Sequence, residues 1–579
     1  MASLKEKLNL EEPLLEDLAV HRGDRIVDIE GTPTPGTKHR TGSWKACTFI
    51  LVTECFEELA YYGIQFNLVT FLKTVLQESN VSAARNYTNW QGTCYIAPLV
   101  GAVVADSYLG RYLTTLAFFA VYLAGMAAMS ISASFPACTG LDCRQEGSSS
   151  SQSAVFFLGL YMMAIGAGGI KPCVSSFGAD QFDDSVPSER LKKSSFFNWF
   201  FFSIYIGSFA SGTVVVWMQD NLGWVVGLWI PTLFIALAMA SFLLGSGSYR
   251  VQKPLGSPLV RVSQVLVAAV RKRNASLPKD ASLLYELPEG ASMADGTKKL
   301  QHTPVLSALD KAAVIASTEE LCSSDPWRLC TVTQVEELKA VIGMLPIWAT
   351  GIVYFAVLAQ FSSTFLEQGR MMNTTVTIPG RSFSIPPASL ASFDAVSVIL
   401  FVPVYDRVLV PAARRLTGND RGLSELQRFG AGLFLSVLVM AAAALVETFR
   451  LQTMAAAAAG DEGEKKMCIL WQVPQYLLVG ASVVFACVGQ SEFFYNEAPE
   501  SMRSLCAALG LLTVSLGSYL SSLLVTVVSA VTTKGGREPG WIPDDLDEGH
   551  LDRFFWLVAA LSGLNFAVFV CCAVRYKCK

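Results

Sequence analysis

Charged residues are scarce in this sequence. Only 16% of its 579 residues are Asp, Glu, Lys or Arg, whereas a soluble globular protein carries roughly 25%. The formal net charge is −4, which argues against a basic surface for nucleic acid. The first forty or so residues lack the basic and apolar segments of a cleaved signal peptide. We therefore expect them to form a disordered cytoplasmic tail.

Metal-binding and catalytic motifs are also missing. There are four histidines and no HExxH, and the 14 cysteines show no paired C-x-x-C spacing. Most of the cysteines lie in apolar runs, where cysteine behaves as a small hydrophobe. We find no nucleophile–base pair and no phosphate-binding loop. We expect no metal, no cofactor and no enzymatic activity.

Long apolar runs dominate what is present, since 52% of the residues are hydrophobic. Many runs approach the roughly 20 residues that cross a bilayer. Closely spaced spans must be helices, because lipid offers backbone groups no hydrogen-bond partners. We predict an all-α membrane protein with twelve transmembrane helices in two six-helix bundles. The predicted spans are Lys45–Leu76, Trp90–Tyr108, Leu113–Phe135, Ala154–Ser176, Phe196–Gln219, Trp224–Leu244, Val341–Phe365, Pro386–Val404, Phe429–Val446, Ile469–Phe494, Leu505–Val531 and Phe554–Val574.

A polar stretch separates the two sets of spans, a pattern typical of two bundles around a site near the bilayer midplane. The stretch is basic, as are the loop after the fourth span and the C-terminal end, so the positive-inside rule assigns these segments to the cytosol. Sequons at Asn80, Asn86 and Asn373 fall in predicted outside loops, and the one at Asn274 falls inside. The predicted segments are a cytoplasmic tail (1–43), an N-terminal bundle (44–244), a cytoplasmic central loop (245–333), a C-terminal bundle (334–574) and a cytoplasmic C-terminus (575–579).

One predicted outside loop contains Cys138 and Cys143. The outside face of a membrane is oxidising, which favours disulfides. We predict that these two cysteines form one.

Three carboxylates lie inside the first predicted span. Glu54, Glu57 and Glu58 are spaced i, i+3 and i+4, so they share one helical face. Neighbouring negative charge and a low dielectric both disfavour ionisation of such a group, which is the physical requirement for a proton carrier. The alternative is a solvated, inert cluster just outside the bilayer.

The fourth predicted span contains Lys171, followed directly by Pro172. A lysine in an apolar helix is costly unless it pairs with a carboxylate or meets an anionic ligand. The alternative is that its side chain extends to the interface.

Between the second and third spans, Asp106 and Arg111 lie in a glycine-containing loop at the predicted cytoplasmic edge. We expect these two residues to pair and to act in gating rather than in binding. A purely structural loop is the alternative. The stretch from Gly101 to Arg111 resembles the signature of the major facilitator superfamily for this loop.

Together, several motifs resemble the plant nitrate/peptide transporter family, the plant branch of the proton-dependent oligopeptide transporters. The similarity runs from about Trp44 to the C-terminus and is closest to the plant di- and tripeptide carriers. It implies proton-driven symport of a small solute across a bilayer, with no obligate protein partner, at the plasma membrane or alternatively the vacuolar membrane. The stretches that carry it are Glu54–Gly63, Gly101–Arg111, Gly169–Asp183, Trp327–Glu337 and Gly489–Tyr495.

The resemblance implies roles for single residues. The first-helix motif of the family is E-x-x-E-R, in which two glutamates handle protons and the arginine faces the substrate carboxylate. Glu54 and Glu57 match the glutamates, but the arginine position is Glu58. The substrate-binding lysine of the fourth helix matches Lys171, and the aromatic pair Tyr61-Tyr62 is retained.

Three further positions carry the implied substrate contacts. The tenth-helix glutamate, which pairs with the lysine and receives a peptide amino terminus, aligns with Val483. The fifth-helix asparagine is Tyr205, and an eighth-helix asparagine or aspartate aligns with Asp394. Because Val483 cannot pair with Lys171, we expect Lys171 to pair with Glu57 or Glu58.

These departures affect the predicted cargo. A peptide zwitterion needs a cation near its carboxylate and an anion near its ammonium, and this pocket has lost one of each. A misplaced like charge can cost several kcal/mol. The function implied by resemblance is uptake of di- or tripeptides. The alternatives are a changed cargo, such as a neutral or cationic metabolite, a plant hormone or nitrate, or a transport-inactive sensor or scaffold.

Overall fold

The computed structural model is almost entirely helical, as predicted. It describes residues 26–27, 42–78, 80–134, 146–183, 186–252, 254, 256–278, 280–287, 299–315, 325–378, 381–385, 387–418, 422–459, 466–533, 540–543 and 546–576.

Twelve long helices form the described part of the chain, six on each side of the central segment. They are α1 (Ser43–Gln65), α2 (Asn80–Val104), α3 (Gly110–Ser134), α4 (Glu146–Ala179), α5 (Pro187–Ala210), α6 (Trp224–Leu244), α7 (Val332–Leu358), α8 (Ala391–Val404), α9 (Glu425–Ala459), α10 (Val473–Glu497), α11 (Arg503–Thr532) and α12 (Leu551–Arg575).

Ten helical segments of the described chain are long and apolar enough to cross a membrane. The first of them, Arg85–Ser134, contains both α2 and α3, so ten segments supply eleven helices. The twelfth is α1, whose three glutamates and one lysine make it more polar than the others. The prediction of an all-α, multi-pass membrane fold is confirmed.

The first predicted span, Lys45–Leu76, is wrong as a single helix. Helix α1 ends at Gln65, and a separate short helix occupies Leu68–Thr74. The Asn67 amide between them donates a hydrogen bond of 3.0 Å to Asp220, beyond the end of α5. The apolar composition continues through this bend, so hydropathy did not reveal it.

Small residues bring the helices of the N-terminal bundle close together. A Cβ atom added to Gly101 on α2 would overlap the backbone of α4 at Gly168. Membrane helices pack at such distances through small residues, because lipid provides no hydrophobic driving force between them. This packing fixes α4, and therefore Lys171, within the bundle.

Three helices contain π-helical turns, each five residues long. Ala105–Leu109 ends α2, Ser211–Val215 extends α5 towards Leu222, and Tyr405–Leu409 extends α8 towards Thr417. Such turns are rare and often occur at functional sites. Asp106 and Asp406 each occupy the second position of their turn.

Both ends of the described helical region lie on one face, which we call the loop side. Gly42 donates its N–H to Ser248 O at 2.7 Å, and Ile26–Val27 pairs antiparallel with Val251–Gln252. At the other end, the Tyr576 hydroxyl donates to Glu497 at 3.1 Å. The expectation of a wholly disordered tail is therefore wrong at Ile26–Val27.

The central segment has more structure than its polar composition predicted. An amphipathic helix, Pro258–Arg271 (the loop helix), buries Val265, Ala268 and Ala269 against the start of α7. The Arg261 guanidinium pairs with Glu337 of α7 at 2.8 Å. Other short elements are the helices Ser307–Asp310 and Thr364–Arg370 and the antiparallel strands Thr375–Ile378 and Arg381–Ser384.

Candidate functional site

Glu54, Glu57 and Glu58 form one buried group, which we call the acidic cluster. All three side chains are buried, and Glu57 is 0% exposed. One carboxylate oxygen from each lies within 4.8 Å of the others, as the i, i+3, i+4 spacing predicted. The alternative of a solvated cluster is excluded by this burial.

Lys171 of α4 faces the acidic cluster. Its Nζ atom lies 2.6 Å from Oε1 of Glu58 and 3.4 Å from Oε2 of Glu57. The expected pairing with Glu57 or Glu58 is confirmed, and both carboxylates take part. The other oxygen of Glu57, Oε1, is buried without a hydrogen-bond partner among the described residues. One ammonium thus contacts two of the three carboxylates.

Aromatic rings surround this ion pair. The Lys171 Nζ atom lies 4.3 Å from the centroid of the Tyr61 ring, a cation–π distance. Tyr61 stacks on Trp90 at 5.6 Å and meets Tyr62 edge-on at 5.6 Å. The side chains of the pair are at most 9% exposed, and a charge pair in such a low-dielectric site interacts more strongly than one in water.

The C-terminal bundle contributes Asp394 from the first turn of α8. Its side chain is buried, and Oδ1 has no hydrogen-bond partner among the described residues. Tyr62 of α1 packs against the core of the N-terminal bundle, and Tyr205 of α5 packs against the core of the C-terminal bundle. Val483 is 1% exposed and packs inside the core of the C-terminal bundle.

A second polar group joins the two bundles on the loop side, and we call it the loop-side gate after its expected role. Arg111 pairs with Asp180 and lies 3.6 Å from Asp106, so the expected Asp106–Arg111 contact is present but long. Across the interface, Tyr495 donates to Asp180 at 2.5 Å and Arg503 donates to it at 3.1 Å. Asp180 therefore joins the two bundles.

Asp106 also bonds across the interface. Its Oδ2 accepts the Leu505 backbone N–H at 3.1 Å, at the start of α11. A carboxylate at a helix N-terminus is stabilised by the unpaired N–H groups and the helix dipole. The role expected of Asp106 and Arg111 in gating remains a proposal, and the geometry supports it.

The corresponding position on α8 makes a related contact that the sequence analysis missed. Asp406 accepts hydrogen bonds from Ser195 at 3.0 Å and Asn198 at 2.8 Å, both on α5. The Asn198 oxygen in turn accepts from Arg428 of α9 at 2.6 Å. The sequence did contain a signal for this contact. Asp406 directly follows the eighth predicted span, and Asp106 lies near the end of the second, so the two positions correspond.

Two predictions concern the opposite face. Asn80 and Asn86 lie in the first two turns of α2, and Asn373 lies between α7 and α8, so all three are at helix ends away from the loop side. Their placement outside the cell remains a prediction. The predicted disulfide between Cys138 and Cys143 falls outside the described residues.

Comparison with known proteins gives the context for this geometry. The POT family profile matches residues 112–542. Two proteins of Arabidopsis thaliana are similar over nearly their whole length. NRT1/PTR FAMILY 8.3 is 52% identical, over 100% of this chain and 99% of the relative, and NRT1/PTR FAMILY 8.5 is 54% identical, over 96% and 93%.

Solved structures share the fold. The crystal structure of the POT family transporter PepTSo matches with a TM-score of 0.60 and 24% identity, over 92% of this chain and 99% of that one. Twelve helices in two bundles, a lysine facing glutamates on α1, and full-length similarity to the plant relatives agree with one another. The chain belongs to the POT family and is a multi-pass membrane transporter, not an enzyme.

Proposed function

We propose that this transporter is a proton-coupled symporter of small solutes and that the acidic cluster carries the proton. The observation behind this proposal is the surplus of carboxylates around one ammonium. Lys171 can compensate one of the three glutamates, and unpaired charge in a buried site is expensive. Uptake of a proton by the cluster lowers that cost, and loss of the proton restores it.

The position of the pair supports coupling to alternating access. Glu57 and Glu58 lie on α1 and Lys171 on α4, so a change in protonation alters the contact between two helices. The loop-side gate involves Asp180 at the end of the same α4. Protonation of the cluster can therefore bias the position of a helix that also takes part in the gate.

Two groups of cargo are open to this site. Several solved neighbours are named as peptide transporters, and the resemblance to plant di- and tripeptide carriers makes peptides the first candidate. The second is a substrate other than a peptide. Glu58 favours it, because its carboxylate neutralises Lys171, the cation that a substrate carboxylate would need. Val483 and Tyr205 also replace the polar groups of the family motifs.

Purified protein in liposomes tests the proposal. With a pH-sensitive dye trapped inside and an acidic outside, peptides, amines, hormones and nitrate are added singly. We expect at least one solute to cause proton entry, and Glu57→Gln to abolish it. The control is Glu367→Gln, an exposed glutamate in the helix Thr364–Arg370. A protein that couples no solute flux to protons contradicts the proposal and favours a sensor or scaffold.

Location in the cell is a separate part of the proposal. We propose the plasma membrane, with the loop side in the cytosol, and the vacuolar membrane is the alternative. A fluorescent fusion in plant cells distinguishes the two membranes.

A further inference from the structure

Part of the central segment is held against the start of α7. This part is residues 299–315, which we call the strap. The buried ammonium of Lys339 on α7 pairs with Asp310 of the strap at 2.6 Å and with Glu336, one turn earlier on α7, at 2.8 Å. It also donates to the backbone oxygen of Thr303 at 2.8 Å. One lysine therefore fixes two points of the strap to one helix.

Thr303 contacts α7 through every polar atom that it has. Its hydroxyl donates to Oε2 of Glu336 at 2.7 Å, and its backbone N–H donates to Oε1 of the same carboxylate at 3.1 Å. Its carbonyl oxygen is the acceptor for Lys339. Hydrogen bonds to a carboxylate are charge-assisted and stronger than bonds between neutral groups. A group added to the Thr303 hydroxyl would remove one of these donors.

The same hydroxyl belongs to an exposed stretch of chain. Thr303 and the five residues after it are exposed, and residues 299–306 lie in neither a helix nor a strand. Protein kinases bind an acceptor residue within such a segment, and proline-directed kinases require a proline directly after the acceptor. Pro304 meets that requirement.

The sequence contains four Ser-Pro or Thr-Pro pairs, and all of them fall in segments that we predict to be cytosolic. Their acceptor residues are Thr32, Thr34, Ser257 and Thr303. Ser257 and Thr303 are the two that lie in the described part of the chain. Of these two, Thr303 is the one whose hydroxyl donates to a carboxylate of α7.

A phosphate on Thr303 is incompatible with these contacts. It carries about −1.5 to −2 charges at neutral pH and would lie against the Glu336 carboxylate. Lys339, the cation beside it, already pairs with two carboxylates. A phosphate placed next to an acidic side chain disrupts the local contact by repulsion.

We propose that Thr303 is a phosphorylation site for a proline-directed protein kinase and that its phosphorylation releases the strap from α7. The Thr303 hydroxyl oxygen forms a bond to the γ-phosphorus of ATP, and the bond between the γ-phosphorus and the β,γ-bridging oxygen breaks. ADP leaves, and the hydroxyl proton passes to the kinase. The inference rests on the predicted cytosolic position of the loop side, where ATP is available, and it is independent of the proposed symport.

Release of the strap affects the helix end that borders the loop-side gate. Glu337, next to Glu336 on α7, accepts a hydrogen bond from the Ser501 hydroxyl at 3.0 Å. Ser501 is two positions before Arg503, which contacts Asp180 in the gate. The modification therefore acts on α7 where it adjoins the contacts between the two bundles.

Cys330 measures release of the strap. Its backbone N–H donates to Ala312 O of the strap at 3.1 Å, and its side chain shares a buried cluster with Ala312 and Ala313. Purified full-length protein in lipid nanodiscs is incubated with an activated mitogen-activated protein kinase and ATP. Peptide mass spectrometry then measures both the phosphate on Thr303 and the rate of Cys330 alkylation.

We expect phosphate on Thr303 and alkylation of Cys330 at least about tenfold faster in the phosphorylated protein, the size of one charge-assisted hydrogen bond. Phosphatase treatment should restore the slow rate. Pro304→Ala keeps the hydroxyl and removes the kinase motif, and Thr303→Val keeps the shape and removes the acceptor, so neither variant should respond to the kinase. Ser257→Ala removes the other described Ser-Pro pair and should respond as the unaltered protein does.

Two results overturn the inference. One is the absence of phosphate on Thr303 under conditions in which the kinase phosphorylates its standard peptide substrate. The other is phosphate on Thr303 with an unchanged rate of Cys330 alkylation, which would mean that the strap stays on α7. Neither result depends on proton or solute flux, so failure here is distinguishable from failure of the proposed symport.

Discussion

The ammonium of Lys171 lies 2.6 Å from Oε1 of Glu58, although 113 positions separate the two residues in the chain. The distance to Glu57 is 3.4 Å, so the two glutamates share the ammonium unequally. The shorter contact predicts that Glu58 is the stronger partner.

Lys171→Ala should reduce both folding yield and transport, because removal of one member of a buried pair leaves a charge uncompensated at a cost of roughly 3–5 kcal/mol. Adding Glu58→Gln should recover part of the loss, and adding Glu57→Gln should recover less. Yield and thermal unfolding of the detergent-solubilised variants measure both effects. If the loss of stability in the double variant equals the sum of the losses in Lys171→Ala and Glu58→Gln, Glu58 is not the partner of Lys171.

The loop-side gate predicts a shift in conformation in addition to a loss of stability, because Asp180→Asn also leaves the buried Arg111 without its counter-charge. Asp180→Asn weakens the contacts to Tyr495 and Arg503, each charge-assisted and worth about 1.5–3 kcal/mol. Spin labels at Lys192 and Leu416, both exposed on the loop side, should then show a longer and broader distance distribution. The same labels with Asp280→Asn provide the control, and unchanged distances in Asp180→Asn would argue against the gate.

Two ion pairs of the C-terminal bundle have the same i, i+3 spacing and opposite burial. Arg450 and Glu447 are 1% and 0% exposed, and Arg370 and Glu367 are 58% and 48% exposed. Arg450→Met should destabilise the protein by roughly 3–5 kcal/mol, and the double variant with Glu447→Gln by less. Arg370→Met should cost at most about 1 kcal/mol. Thermal unfolding in detergent compares them, and equal effects would contradict this account.

Cys330 reports on docking of the loop helix. Burial raises the pKa of the Cys330 thiol to about 11. The thiolate is the reactive form, so modification at neutral pH should be slow and should increase as the pH rises towards that value. Arg261→Met removes the 2.8 Å pair with Glu337 and should speed modification at pH 7, as measured by peptide mass spectrometry. Arg328→Met, in an exposed pair, should leave the rate unchanged. Fast modification of the unaltered protein would indicate an undocked loop.

Local spacing predicted part of this site because the responsible forces are local. The i, i+3, i+4 pattern placed three glutamates on one face, and the cost of an unpaired charge at membrane depth predicted a partner for Lys171. Hydropathy likewise located all twelve long helices of the described chain to within several residues at most ends. The bend at Asn67 was not predicted, because the apolar composition of the sequence does not change there.

Contacts between distant segments could not be predicted from local spacing or hydropathy. Asp180 and Tyr495 are 315 positions apart, and no periodicity connects them. The loop helix did leave a signal, since Val265, Ala268 and Ala269 repeat at i, i+3 and i+4, but the basic residues around it favoured a solvated loop. Tertiary packing against α7 decided between the two.

Asp180 binds Arg111 of its own bundle as well as Tyr495 and Arg503 of the other. If the bundles separate on the loop side, the carboxylate would keep its partner on the same side of the cleft. Arg503 would then face water, where a guanidinium is well solvated. The contacts of Asp180 with the other bundle can therefore break without leaving an unpaired charge in the interface. A gate of this kind can open and reclose many times at low cost, which a carrier that changes shape in every cycle requires.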